Sequence, residues 1–134
     1  MQRRIITSSG APAAIGPYSQ AVAAGDWVFC SGQIPLDPES GSLVISDISA
    51  ATTRVMENLR AVLEAADLTF DHVVKTTIYL VDLADFADVN AVYSKYFRKD
   101  PPARATVQVA ALPRGVSVEI DAIAYAAGPK NSGT

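Results

Sequence analysis

The sequence predicts an α+β domain, with two helices packed on one face of a mixed β-sheet. Three observations carry this expectation. Residues 48–66 repeat apolar side chains at three- and four-residue steps, the period of a helix with one apolar stripe. Residues 73–81, Val-Val-Lys-Thr-Thr-Ile-Tyr-Leu-Val, are β-branched and aromatic, which suits a pleated strand. Residues 104–110 and 116–126 alternate apolar and polar side chains, as strands with one buried face do.

The elements follow in order. Ile5 and Ile6 open a short first strand. Gly10, Pro12, Gly16 and Pro17 make residues 8–17 a loop. From Gln20 onward a strand, a turn at Gly25-Asp26 and a second strand through Cys30 are expected. Residues 35–42 are rich in turn formers. Asp47 can cap the first helix, its carboxylate accepting from otherwise unpaired backbone N–H groups. Ile48, Ala51, Val55, Leu59, Val62, Leu63 and Ala66 form the stripe, and Arg54, Glu57, Arg60 and Glu64 fall mostly off it. A second helix is expected over 83–97, with Phe86, Val89, Tyr93, Tyr96 and Phe97 on or near its apolar side and Pro101-Pro102 ending the segment. One domain over 1–127 and a flexible tail over 128–134 complete the chain.

Leu112-Pro113-Arg114-Gly115 is expected to join the last two strands as a hairpin. Ala105, Val107 and Val109, with Val118, Ile120 and Ala122, would lie beneath the helices. Arg104, Thr106, Gln108 and Glu119 would share the other face with Ile123 and Tyr125. Two readings stand for that face: it meets water, or it meets other subunits and lines a polar cleft. If Gln108 pairs opposite Glu119, Arg104 sits about 13 Å from Glu119 at ~3.3 Å per residue. One small substrate cannot touch both, so a shared site needs two chains or a bulge.

Composition narrows the function classes. The chain has 134 residues, 49% of them hydrophobic and 19% charged. That charge share is below the ~25% usual for soluble domains and leaves room for surface hidden by self-association. The net charge is -3 and the pI about 5.0, which disfavours a nucleic-acid role. The single cysteine, Cys30, makes no internal disulfide and fits a reducing compartment. No apolar run has the length of a signal peptide or a membrane span, so a soluble, cytoplasmic protein without a membrane partner is expected. Cys30 reads as a small core residue, since no base is evident beside it. His72 reads as a surface residue before a strand, and Gly16 and Gly32 are explained by turn geometry.

Four stretches carry a resemblance. They are 13–21, Ala-Ala-Ile-Gly-Pro-Tyr-Ser-Gln-Ala; 28–35, Val-Phe-Cys-Ser-Gly-Gln-Ile-Pro; 74–80, Val-Lys-Thr-Thr-Ile-Tyr-Leu, followed by Phe86-Ala87-Asp88-Val89-Asn90; and 102–107, Pro-Ala-Arg-Ala-Thr-Val, leading to 118–124, Val-Glu-Ile-Asp-Ala-Ile-Ala. In this order and spacing the chain resembles the Rid/YjgF family of reactive-intermediate deaminases along nearly its whole length. The resemblance implies a chorismate-mutase-like fold, a homotrimer with sites between subunits, and hydrolysis of 2-iminobutanoate and 2-iminopropanoate to 2-keto acids and ammonia. It implies no metal and no organic cofactor. It assigns Arg104 to the substrate carboxylate and Glu119 to the catalytic water, with Tyr18, Ser31 and Asn90 in the pocket. Thr106 stands where many bacterial members have cysteine, at a position contributing mainly backbone contacts.

The chemistry suits these residue types. A planar, charged guanidinium grips a carboxylate with two parallel hydrogen bonds. Imine hydrolysis needs a placed water and a proton acceptor, which a glutamate can supply. Each residue also has a plainer role: Arg104 in an interface ion pair, Glu119 as a solvated strand carboxylate, Tyr18 as a loop anchor, Ser31 bonding a backbone group, and Asn90 in packing or capping. Three other functions compete with hydrolysis. One is a non-catalytic protein binding small carboxylates, and another is the translation-inhibiting endoribonuclease activity ascribed to the family. The third is a chaperone-like or regulatory partner protein, for which the sequence offers no partner-binding motif beyond its own expected interface.

Overall fold

The computed structural model describes residues 2–126; the tail expected over 128–134 lies outside them. Six strands form one sheet in the order β1-β2-β3-β6-β4-β5. They are β1 (Arg3–Ile6), β2 (Ala21–Ala24), β3 (Trp27–Gln33), β4 (Val73–Leu80), β5 (Ala103–Gln108) and β6 (Val118–Tyr125). Neighbours run antiparallel except β4 and β5, which are parallel. Helices α1 (Ile48–Ala65) and α2 (Phe86–Tyr93) follow β3 and β4. The α+β architecture, a mixed sheet with two helices on one face, is thus as expected.

Local chemistry explains the elements. The β2–β3 turn has Gly25 at φ 61°, a left-handed conformation that glycine adopts without a Cβ clash. Asp47 accepts from Ala50 N at 2.7 Å, and such a cap contributes about 1 kcal/mol. Val55, Met56, Leu59, Val62 and Leu63 of α1 are buried in the core. Each such burial contributes about 1.5–3 kcal/mol. Facing them are Val28 and Cys30 of β3, Ile78 and Leu80 of β4, and Val118, Ile120 and Ala122 of β6. The expected second helix is broken into pieces: 3-10 turns at Leu83–Asp85 and Ser94–Tyr96 flank α2. Among the described residues, no helix is long and apolar enough to cross a membrane.

The expected hairpin does not form. β4 lies between β5 and β6 and pairs with both. The connection 109–117 is longer than a hairpin turn of about two to five residues, so it can cross the end of β4. Val109 N donates to Leu80 O at 2.8 Å there, and Val81 N to Ser117 O at 3.3 Å. The faces of β5 are therefore reversed. Arg104, Thr106 and Gln108 pair with Thr76, Ile78 and Leu80, which are buried on the helix side. Ala105 and Val107 pair with Thr77 and Tyr79 on the open face. Gln108 is not opposite Glu119; Tyr79 is.

Candidate active site

Glu119 heads one cleft. It stands on the open face of β6, beside a bulge in β3 where the register slips between Cys30 and Gln33. The cleft has a volume of about 550 Å³, and Tyr18, Ser31, Gly32 and Arg114 line it with Glu119. Its other walls are largely apolar, among them Pro12, Ile15, Ile34 and Leu36. Burial, and then the negative charge of Asp121, raise the proton affinity of the Glu119 carboxyl above its ordinary value. Asp121 itself accepts from the Tyr79 hydroxyl at 3.0 Å.

The neighbours of Glu119 are set by hydrogen bonds. The Ser31 hydroxyl donates to Ser19 O, so its oxygen remains free to accept. The Tyr18 hydroxyl accepts from Ile15 N at 3.4 Å, and half of its side chain is exposed. Gly16, at φ 114°, makes the turn that precedes Tyr18. Both Tyr18 and Ser31 thus combine a local structural bond with a place on the cleft wall.

Two buried amides hold that wall, and neither stood out in the sequence. Gln20 Nε2 donates to Ser8 O at 3.1 Å, Ala11 O at 3.4 Å and Pro12 O at 2.8 Å, while its Oε1 accepts from Ser8 N at 2.6 Å. This binds the 8–12 loop to β2. Asn58 of α1 donates to Ile34 O at 3.1 Å and Leu36 O at 2.9 Å, binding the opposite wall to the helix. A buried amide surrounded by carbonyl groups leaves no periodic signal in a sequence; its neighbours become visible only in the fold.

Arg104 heads a second cleft, of about 390 Å³, which Asn90, Tyr93, Phe97 and Pro102 help to line. Arg104 Nη1 donates to Asn90 Oδ1 at 2.7 Å. The guanidinium carbon lies 5.3 Å from the Phe86 ring centroid and 5.1 Å from that of Tyr93, within cation–π range. Tyr93 is fixed in turn by a 2.6 Å bond between its hydroxyl and that of Thr76. Asn90, read from the sequence either as a pocket residue or as a packing or capping one, lines this cleft and holds the arginine. Thr106 follows on the same face, its hydroxyl oxygen buried without a hydrogen-bond partner among the described residues.

The two clefts do not merge within one chain. Arg104 is on the helix face and Glu119 on the open face, two strands and three residues apart, about 14 Å in the sheet plane. The open face also carries an apolar row across four strands: Ile5, Val22, Phe29 and Ile123 lie in register. Trp27 and Tyr125 extend it, their ring centroids 4.6 Å apart. Ile5, Trp27, Phe29 and Tyr125 are all exposed, a contiguous patch of the kind that marks an interaction surface.

Three more residues complete the inventory. Arg114, read in the sequence only as part of a turn, lines the Glu119 cleft with left-handed backbone, φ 58°. Cys30 is core: it is buried, and desolvation followed by the Asp121 charge pushes its thiol up to about 12. His72 Nδ1 accepts from Thr69 N at 3.1 Å, closing a capping box before β4. Among the described residues, no three His, Cys, Asp or Glu side chains gather where they could hold a metal ion.

Known proteins match along almost the whole chain. A Myxococcus xanthus protein named DfrA is 63% identical over 126 residues, covering 92% of this chain and 96% of that one. The mouse protein named 2-iminobutanoate/2-iminopropanoate deaminase is 51% identical over 122 residues, covering 91% of this chain and 90% of that one. The crystal structure of Escherichia coli TdcF with bound serine superposes with a TM-score of 0.87 at 42% identity, covering 91% and 98% of the two chains. The profile of the endoribonuclease L-PSP family matches residues 8–126, and the chain belongs to that family, the Rid/YjgF family.

Proposed function

We propose that this protein is a hydrolytic deaminase that converts short 2-imino acids, such as 2-iminobutanoate and 2-iminopropanoate, to 2-keto acids and ammonia. The observation that carries the reading is the pair of separated clefts. A cationic clamp and an acid of raised proton affinity each head an open recess, and the face that carries the acid also exposes an apolar row that can receive another copy. A homotrimer that brings Arg104 of one chain to Glu119 of the next would make one complete site at each interface. The 51% identity to a mammalian protein named for this activity supports the same reading, as does a bound amino acid in a relative of the same fold.

In this mechanism Arg104 holds the substrate carboxylate, with Asn90 fixing the guanidinium and Thr106 offering backbone contacts beside it. Glu119 accepts a proton from a water molecule as its oxygen bonds to the imine carbon, and the C=N π pair moves to nitrogen. Glu119 then returns the proton to nitrogen, giving a carbinolamine. It next takes the carbinolamine hydroxyl proton and passes it to the amine; the O–H pair forms the C=O bond as the C–N bond breaks, and ammonia leaves a 2-keto acid. A raised proton affinity suits a group that must hold and return a proton. Tyr18 and Ser31 steer the substrate by hydrogen bonds. The working place we assign is the cytoplasm, with small imino and keto acids as partners and no nucleic acid or membrane.

The test is hydrolysis of freshly generated 2-iminobutanoate and 2-iminopropanoate by wild type and Arg104→Ala, with the oligomeric state checked for both. A charged hydrogen bond contributes about 1.5–3 kcal/mol, so the variant should bind substrate about ten- to a hundredfold less well. No acceleration over buffer by wild type would leave a binder of small carboxylates. RNA cleavage that survives Arg104→Ala would identify a separate endoribonuclease activity.

A further inference from the structure

We infer that Gly32 is a positioning residue: its missing side chain is what lets the Glu119 carboxylate lie over the β3 backbone. The inference rests on the reading of Glu119 as the water-handling acid and adds the group that sets its place.

The geometry isolates a single cause. A Cβ built on Gly32 meets three nearest heavy atoms, and all three belong to the Glu119 side chain. Cδ lies at 2.9 Å and Cγ at 3.1 Å, and Oε2 overlaps the added carbon outright. Expected from the sequence to serve a turn, Gly32 instead lies in β3 and does not adopt left-handed backbone, unlike Gly16, Gly25, Gly41 and Gly115. Any residue can take its conformation; only the neighbour forbids a side chain. The β3 bulge accounts for the approach. Ser31 and Gly32 together oppose Asp121, since Cys30 pairs with Ala122 and Gln33 with Ile120. Such bulges re-aim side chains next to active sites.

A methyl group at residue 32 need not unfold anything. The atoms in its way are the end of a flexible side chain, so Glu119 can rotate out toward solvent. That is why the glycine acts on position and not on folding. The carboxyl would leave a cleft it shares with Arg114 and Tyr18, and would move relative to Asp121 beside it and Tyr79 opposite it. A displacement of about 1 Å can cost two decades of rate when a reacting group must be aimed.

Gly32→Ala, Glu119→Ala and the double variant test this with 2-iminobutanoate. Gly32→Ala should lower kcat by at least about tenfold while KM stays within about threefold, because aim is lost and not the carboxylate clamp. If glycine acts through Glu119, adding Gly32→Ala to Glu119→Ala should cost no more than about twofold further. Wild-type kcat in Gly32→Ala, or losses that multiply in the double variant, would overturn the inference. Carbon NMR of the Glu119 carboxyl supplies a readout independent of turnover. Its titration should fall toward the ordinary glutamate value in Gly32→Ala, and an unchanged titration sinks the idea. Should wild type not hydrolyse the imine, the deaminase reading fails while the carboxyl titration still decides what Gly32 does.

Discussion

Asn90 Oδ1 accepts from Arg104 Nη1 at 2.7 Å, a contact that joins α2 to the edge strand β5 and holds the guanidinium beside the rings of Phe86 and Tyr93. The bond is exposed, so water competes for it and its contribution is toward the low end of a charged hydrogen bond. Asn90→Ala should raise KM about three- to tenfold and leave the thermal midpoint nearly unchanged. Steady-state kinetics with 2-iminobutanoate checks this. Equal KM in both proteins would show that the rings alone position Arg104.

The contact also shows how much was legible in the sequence. Asp47 with the stripe of α1, and the β-branched run of β4, are local patterns, and both elements form where expected. The β2–β3 turn is local too. Strand partnership is not: Val118, Ile120 and Ala122 alternate with Glu119 and Asp121 whichever strand lies beside them, so β6 reads the same next to β5 as next to β4. Arg104, Thr106 and Gln108 looked like an open face because they are polar, yet the edge of a sheet lets polar groups stand on the helix side. The candidate site residues were picked out by type and motif. Their division into two clefts, and the support from Gln20, Asn58 and Gly32, depend on chain segments that only the fold brings together.

Glu119 should leave a signature in pH dependence. Burial first and the Asp121 charge second raise its folded-state proton affinity above the unfolded value. The linked stabilisation is fully present below the unfolded pKa and is lost as pH rises through the folded one. Glu119→Gln should therefore be at least as stable as wild type at neutral pH, with the advantage vanishing in acid, while on the proposed mechanism its hydrolysis should fall. Thermal melts across the acid range test the stability half. For activity, a base of raised pKa puts the acid limb of kcat/KM above the ordinary glutamate range. Asp121→Asn removes one of the two causes and should move that limb to lower pH; a limb that stays put would mean another group is titrating.

Gln20 offers a test of the cleft wall. It is 4% exposed, and its loss would leave the carbonyls of Ser8, Ala11 and Pro12 without their donor. An unsatisfied buried group costs about 1–3 kcal/mol, so Gln20→Ala should lower the thermal midpoint by several degrees. Because Pro12 and Ala13 stand on the cleft wall, KM should rise as well. A variant with normal KM and lowered stability would confine Gln20 to the fold.

Complementation tests the shared site most directly. Arg104→Ala and Glu119→Ala should each be nearly inactive, and their effects on folding should be small because one residue is exposed on an edge strand and the other is only half-buried. If each site takes Arg104 from one chain and Glu119 from its neighbour, mixed oligomers regain sites in which both residues are intact. Random mixing of equal amounts after dissociation and reassembly should restore about a quarter of wild-type activity. The same mixture made without dissociation should stay inactive, since intact oligomers do not exchange their halves. A charge on the apolar row, Phe29→Asp, should abolish both assembly and hydrolysis while leaving Arg104 and Glu119 in place, with sedimentation reporting the oligomer. Activity in a monomeric Phe29→Asp chain would place the whole reaction within one subunit, against the 14 Å that separate clamp and acid (about three residues and two strands).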